Sequence, residues 1–240
     1  MNYNNNLNLN YSYNNLVKNA YIITVQGNKK SEEMSKRCQL SCQKVGQPFK
    51  VWDAFDGTGK GITVPKHSEN DPITRIMKIT DHYMTRGEVA CALSHITLWR
   101  HCAEIDEPIV ILEHDSIVVK KFESVNSFNS IVYLGGTEWA KQNWKIYPIP
   151  PHASEGPNYH FICRAHAYAI DPTMAKNLLA HVIKLGICGP LDIMMRADLF
   201  NITHQGMYAY DDNVDKTNDT TIKARPVDGR STTRNDNLEN

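Results

Sequence analysis

Several features are absent from this 240-residue sequence, and each absence excludes a class of protein. The 26 lysines and arginines equal the 26 aspartates and glutamates, so the basic surplus typical of nucleic-acid binders and polybasic membrane binders is missing. No apolar run approaches the roughly 20 residues that a transmembrane helix needs. The start, MNYNNNLNLNYSYNN, has neither the basic nor the apolar region of a secretory signal. We therefore expect a cytoplasmic protein with no transmembrane segment and no nucleic-acid partner.

The cysteines also lack a recognisable metal-binding spacing. The sequence has 6 cysteines but no Cys-x-x-Cys pair, and Cys38-x3-Cys42 has no matching second pair. In a chain of this length without a secretory signal, cysteines are typically reduced thiols. We therefore predict small buried thiols rather than a zinc site built on cysteine.

Both ends of the chain are polar. Residues 1–15 include 8 asparagines, and residues 211–240 contain only 5 scattered apolar residues. Such segments bury too little apolar surface to offset the loss of chain entropy on folding. We predict that both ends are disordered and that residues 16–210 form one domain.

Between these ends, predicted strands alternate with predicted helices, which is typical of an α/β sheet. The run PIVIL, which begins at Pro108, is apolar on both faces and predicts a central strand covered by helices. Thr85 and Glu88 have the spacing of a capping box before a long amphipathic helix, and Ser31 is the expected cap of an earlier helix. The other predicted elements are strands over Asn19–Val25, Phe49–Phe55, Ile131–Leu134 and Ala165–Ile170, and helices over Ser31–Val45, over Asp171–Lys184 and after Pro190. We predict one α/β domain whose sheet is flanked by helices.

Two carboxylates follow the predicted central strand. In an extended chain residues i and i+2 point to the same side, so Glu113 and Asp115 lie together while His114 points away. Ligands of open α/β sheets bind at the carboxyl ends of the strands. Two neighbouring carboxylates repel each other unless a cation lies between them, and Mn²⁺ or Mg²⁺ meets this need. The alternative is an ordinary strand end at which both acids face water.

Several segments of the sequence match, in order, the blocks of one family of proteins. The segment Arg86–Trp99, RGEVACALSHITLW, closely resembles the GE-x-GC-x-LSH helix of glycosyltransferase family 25. Other blocks follow in the family's order, over roughly residues 20–200: YIIT, VWDAFDG, IVILEHDS, VYLG, AYAIDPTMAKNLL and PLD. The sequence departs from the pattern at His114, which replaces the second acid of ILEDD, at Ala90, which replaces a glycine, and in residues 26–30, which lack the family's basic stretch.

This resemblance implies a single GT-A-type, Rossmann-like domain with a mixed, mainly parallel sheet flanked by helices. Such a domain binds a UDP-sugar. On that template, the backbone near Thr24 and Val25 approaches the nucleoside, and Asp56 lies beside it. Ser94 and His95 match the SH pair of the donor site. The alternatives are a turn role for Asp56 and helix packing for Ser94 and His95.

The resemblance also implies the catalytic groups. Glu113 and Asp115 match the metal motif, so Mn²⁺ or Mg²⁺ is the expected cofactor. Asp192 matches the late acid of the family and is the expected base; its alternative role is to stabilise the first turn of a helix. A surface for stacking a sugar ring is a further hypothesis, resting on Trp139, Trp144 and Tyr147.

The predicted function is therefore metal-assisted, inverting transfer of a hexose, galactose or glucose, from a UDP-sugar to a saccharide or hydroxylated acceptor. This matches the role of the family in lipopolysaccharide biosynthesis. A non-catalytic protein of the same fold that binds a nucleotide or glycan is the alternative. A Rossmann methyltransferase fits less well because no glycine-rich loop follows the first strand.

Overall fold

A computed structural model describes residues 17–81, 83–123, 131–136, 147–148 and 165–211. Residues 1–15, and 212–240 of the predicted tail, lie outside the described residues, so the predicted domain boundaries stay a prediction. Eight strands, five α-helices and one short 3-10 helix, Lys66–Ser68, are present in the described part. The strands are β1 Ala20–Thr24, β2 Phe49–Asp53, β3 Ile109–Glu113, β4 Ser116–Val118, β5 Ile131–Gly136, β6 Tyr147–Pro148, β7 Ala167–Ile170 and β8 Ile202–Asp211. The helices are α1 Lys29–Val45, α2 Pro72–Ile76, α3 Arg86–Ile105, α4 Pro172–Leu185 and α5 Leu191–Met194.

The strands form a mixed sheet with the order β2-β1-β3-β7-β5-β8-β4, and β6 pairs with β8. Strand β1 pairs in parallel with β2 and β3, and β5 pairs in parallel with β8. Strand β7 runs antiparallel to both β3 and β5, and β4 and β6 run antiparallel to β8. The α/β class with a mixed sheet is confirmed. Three of the seven pairings between described strands are parallel and four are antiparallel, because β7, β4 and β6 each run against their neighbours, so the expectation of a mainly parallel sheet is corrected.

Strand β3 is buried on both faces, as its apolar run predicts. Ile109 and Ile111 belong to the core on the α3 side, which also contains Trp99. Val110 and Leu112 belong to the opposite core, together with Cys38 and other residues of α1. Each fully buried side chain of this size contributes about 1.5–3 kcal/mol of hydrophobic stabilisation. The strand is therefore a rigid support for the residues that follow it.

The ends of three helices test the capping predictions. The box at the start of α3 is confirmed, because Thr85 Oγ1 accepts from the Glu88 backbone N–H and Glu88 accepts from the Thr85 N–H. The cap of α1 is Asn28, whose side chain accepts from the Ser31 N–H, and not Ser31, which lies inside the helix. The helix predicted after Pro190 is only the four-residue α5, because the chain leaves helical geometry at the buried Met195.

The cysteine prediction holds for most of the described thiols. Cys38, Cys42 and Cys102 are free and buried, whereas Cys91 is half-buried and Cys188 is exposed. None of the described helices combines the length and hydrophobicity needed to cross a bilayer.

Candidate functional site

A cleft of about 570 Å³, including its open mouth, lies where β1, β2 and β3 end. The cleft is walled by the strand ends, by the loop after β2 and by one face of α3. Its lining residues are Ile23, Val25, Ala54, Phe55, Asp56, Gly57, Thr58, Gly87, Ala90, Cys91, Ser94, His95, Glu113, His114 and Asp115. Six of the eight residues predicted for the site therefore lie around one cleft.

The end of β1 contributes Val25 but not Thr24. Val25 lines the cleft, and its backbone N–H donates to Ser31 Oγ at 2.9 Å. Thr24 is buried and turned inward: its Oγ1 donates to Ser35 Oγ at 2.7 Å. The Thr24 carbonyl accepts from the Ala54 N–H at 2.9 Å. Thr24 therefore supports the wall of the cleft and does not line it.

The loop after β2 is shaped by Asp56 and Gly57. Asp56 Oδ1 accepts from the Thr58 backbone N–H at 2.8 Å and from the Thr58 hydroxyl at 2.6 Å. A Cβ on Gly57 would lie 2.4 Å from the Arg86 carbonyl oxygen, so only glycine permits this approach to the start of α3. Asp56 thus has the turn role that was its alternative, and it also lines the cleft.

Ser94 fastens this loop to α3. Its hydroxyl donates to the Ala90 carbonyl at 2.7 Å and accepts from the Phe55 backbone N–H at 3.0 Å. Ser94 is 1% exposed, so the hydroxyl has no room for further partners of ligand size. The serine of the SH pair therefore shapes the cleft through the loop that it anchors.

His95 connects α3 to the predicted metal strand. Its Nε2 lies 3.2 Å from Glu113 Oε1, and its Nδ1 lies 2.8 Å from the Tyr168 hydroxyl. The imidazole is fully buried, whereas 28% of the Glu113 side chain remains exposed at the cleft. His95 thus reaches the cleft's acidic group directly from the helix.

The two predicted ligands flank the turn between β3 and β4. Glu113 and Asp115 both line the cleft and are both half-buried. Burial raises the pKa of Glu113, but the opposing effects, of which the hydrogen bond from His95 is the largest, lower this pKa overall. Glu113 is therefore ionised at neutral pH, as a metal ligand must be.

His114 points to the opposite side of the strand, as expected. Its Nδ1 lies 3.0 Å from Ser31 Oγ on α1, while Glu113 faces His95 on α3. Burial lowers the pKa of His114, which favours the neutral ring. The hydrogen bond between His114 Nδ1 and Ser31 Oγ fixes the position of the residue that replaces the family's second acid.

Cys91, which was not among the predicted site residues, lies one helical turn before His95. Cys91 Sγ lies 3.7 Å from Glu113 Oε1, so Cys91, His95 and Glu113 form a cluster with the residue types of a metal site. Burial raises the pKa of the Cys91 thiol, and the charges of Glu113 and Asp192 raise it further. The thiol therefore stays protonated and donates to Glu113. The Cys-x3-His spacing within the SH helix was the signal for this cluster.

The donor chemistry of the cleft fits the implied cation. Mn²⁺ and Mg²⁺ prefer carboxylate oxygens, and Glu113 and Asp115 supply these at one strand end. The thiol of Cys91 and the imidazole of His95 instead form hydrogen bonds with Glu113.

Asp192 lies in the first turn of α5 and is not among the residues that line the cleft. Its charge acts on Cys91, which does line it, so Asp192 is close to the α3 wall. The proposed stacking residues Trp139 and Trp144 lie outside the described residues, and the side chain of Tyr147 is not described.

Comparison with known proteins identifies the family. The model of glycosyltransferase family 25 (LPS biosynthesis protein) matches residues 17–195, which include every segment around the cleft. The chain belongs to glycosyltransferase family 25 and is a glycosyltransferase by family, as the sequence predicts.

The remaining comparisons add no functional detail. No individually curated protein matches the sequence. One solved structure of similar fold is that of the galactosyltransferase LgtC in complex with donor and acceptor sugar analogues. It shares 9% identity with this chain at a TM-score of 0.42, over 78% of this chain and 72% of that chain. So low a similarity does not extend to substrate or mechanism.

Proposed function

We propose that the chain transfers a hexose, galactose or glucose, from a UDP-sugar to a saccharide or hydroxylated acceptor with inversion. The observation that carries the proposal is the cleft, where the nucleotide segments and the acidic strand end of this family's pattern meet. In the proposal, Val25 and Asp56 border the nucleoside, and Glu113 and Asp115 border the diphosphate.

Glu113 and Asp115 would hold Mn²⁺ or Mg²⁺, which supplies positive charge to the diphosphate leaving group when bound. Asp115 lies in the turn after β3, so its position is set by the pairing of β3 and β4 with their neighbours. Glu113 is set by the hydrogen bonds from His95 and Cys91. Both carboxylates line the same cleft.

Inversion requires a base opposite the leaving group, and Asp192 is the proposed base. It takes the proton of the acceptor hydroxyl while the hydroxyl oxygen forms its bond to the anomeric carbon. The bond from that carbon to the diphosphate oxygen breaks, and UDP leaves with the electron pair. A positioned carboxylate contributes about 10²–10⁴-fold to the rate of such a step.

Titration of UDP into the protein, with and without Mn²⁺, tests the proposal. We expect UDP to bind more tightly with Mn²⁺, and we expect UDP-galactose or UDP-glucose to be hydrolysed slowly when no acceptor is present. Asp115→Asn should abolish the effect of Mn²⁺, whereas Asp106→Asn, at the exposed far end of α3, should preserve it. If UDP binds neither with Mn²⁺ nor without it, the proposal is overturned.

A non-catalytic binding protein is the second candidate, and it is favoured by His114, whose ring is held by Ser31 where the family pattern has an acid. The variant Asp192→Asn separates the two. In an enzyme it should reduce turnover at least 10²-fold and preserve UDP binding. Tight UDP binding by the unmodified protein without hydrolysis or transfer of any UDP-hexose would favour the binding protein.

A further inference from the structure

Three hydrogen bonds link Glu113 to the buried core beneath the cleft. The Trp99 indole N–H donates to the Tyr168 hydroxyl at 2.8 Å. That hydroxyl lies 2.8 Å from His95 Nδ1, and His95 Nε2 lies 3.2 Å from Glu113 Oε1. Trp99, Tyr168 and His95 are each 0% exposed, so water does not compete for these bonds. His95 and Trp99 lie four residues apart on α3, which places both on the face that packs against β7.

The two ends of this series decide where its protons lie. An indole only donates and a carboxylate only accepts, so Tyr168 accepts from Trp99, and His95 donates to Glu113 through Nε2–H. His95 Nδ1 is then free to accept the Tyr168 hydroxyl proton. In the other tautomer this proton would have no second acceptor among the described residues, and leaving a buried donor unsatisfied is costly. Trp99 and Tyr168 therefore select the His95 tautomer that donates to Glu113.

We propose that Tyr168 is a positioning residue for the cation site: through His95, it holds Glu113 Oε1 in place so that the rest of the carboxylate faces the cleft. This inference rests on the proposed role of Glu113 as a metal ligand. The exposed 28% of the Glu113 side chain is the part available to a cation. Tyr168 never touches that cation, so its influence passes entirely through the tautomer of His95.

Tyr168→Phe tests the inference because it removes the hydroxyl and keeps the ring that packs on His95. Loss of a hydrogen-bond partner behind a metal ligand typically weakens metal binding 10–100-fold. We expect Mn²⁺ to bind the variant at least about 10-fold more weakly than the unmodified protein, measured by titration with UDP present.

The matched control is Tyr21→Phe. Tyr21 is also buried, and its hydroxyl also bonds a histidine of α3, with 2.9 Å to His101 Nε2, but neither residue lines the cleft. Its loss should leave Mn²⁺ affinity unchanged. Equal weakening by both variants would mean a general loss of structure and would overturn the inference.

His95→Gln provides a second test that does not depend on the stability of a single variant. A glutamine amide N–H donates without any choice of tautomer, so the donor to Glu113 should no longer need Tyr168. In this background Tyr168→Phe should change Mn²⁺ affinity less than about 3-fold. If Tyr168→Phe weakens Mn²⁺ binding as much in the His95→Gln variant as in the protein with His95, Tyr168 does not act through His95 and the inference is refuted.

The tautomer itself is measurable without a cation. In protein labelled with ¹⁵N-histidine, NMR should show His95 protonated at Nε2 alone, and Tyr168→Phe should shift the population toward Nδ1–H. An unmodified protein that already has His95 protonated at Nδ1 alone would overturn the inference. This readout stays valid if the unmodified protein binds no Mn²⁺, a result that would instead count against the proposed function.

Discussion

Ser94 offers a sharp test of how the fold builds the cleft. Its hydroxyl accepts from the Phe55 N–H and donates to the Ala90 carbonyl, and these bonds fasten residues 54–58 to α3. Ser94→Ala removes both bonds without adding bulk. The Phe55 N–H then becomes a buried donor without its acceptor, since Ser94 is 1% exposed and Phe55 is 3% exposed.

An unsatisfied buried donor costs about 1–3 kcal/mol, so we expect the free energy of unfolding to fall by this amount. The lost hydrogen bond weakens the attachment of the loop that places Asp56 in the cleft. UDP binding has to order that loop again. If this ordering costs about 1.4 kcal/mol, UDP affinity falls about 10-fold. Urea denaturation measures the first effect, and calorimetric titration of UDP with Mn²⁺ measures the second.

Thr97→Ala is the control, because Thr97 is a buried hydroxyl one turn further along α3. It accepts from Trp52 Nε1 at 3.2 Å and donates to the Ser94 carbonyl at 2.8 Å, away from the cleft. We expect a similar loss of stability with unchanged UDP affinity. If Ser94→Ala weakens UDP binding no more than Thr97→Ala does, the loop after β2 is not part of the nucleotide site.

Two further predictions concern packing and pH. A Cβ on Gly135 would lie 2.5 Å from the ring of His166 and 2.6 Å from the Tyr133 hydroxyl, so Gly135→Ala should destabilise the fold by about 1–3 kcal/mol; an unchanged urea midpoint would contradict this. Burial lowers the pKa of His101, and Lys50 is among the charges that lower it further. The unfolded chain therefore binds more protons than the folded protein as the pH falls below about 6.5, and the free energy of unfolding should decrease there. Urea denaturation between pH 7.5 and 5.5 should show a smaller decrease for His101→Gln. The same dependence of the unfolding free energy on pH in both proteins would refute the assignment.

Local chemical patterns explain why much of the fold was predictable. The capping box and the apolar stripe predict the helix α3, and both depend only on residues close in sequence. The strand β3 is apolar on both faces because helices cover both, so its central position follows from its composition. Glu113 and Asp115 were found together because the turn after β3 keeps them at the cleft.

The remaining features depend on contacts that sequence spacing does not encode. The apolar run of β7 predicts a buried strand, but its composition does not indicate whether the strand runs parallel or antiparallel to β3. Asn28 and Ser31 are both good helix caps. Asn28 is the cap of α1, because Ser31 Oγ instead forms hydrogen bonds with the Val25 N–H and with His114 Nδ1. Tyr168 matched a family block without a stated role, because its link to His95 crosses from β7 to α3.

The antiparallel strand β7 also sets the order in which this site can assemble. The Glu113 backbone N–H donates to the His166 carbonyl, and the Glu113 side chain depends on a histidine oriented by Tyr168. During synthesis, β1, α3 and β3 leave the ribosome well before β7, so a nascent chain that ends before β7 has the acidic residues but not their support. Contacts this distant in sequence also form late in folding. Any ligand that binds at Glu113 therefore stabilises only the completed sheet, and its binding serves as a measure of completed folding.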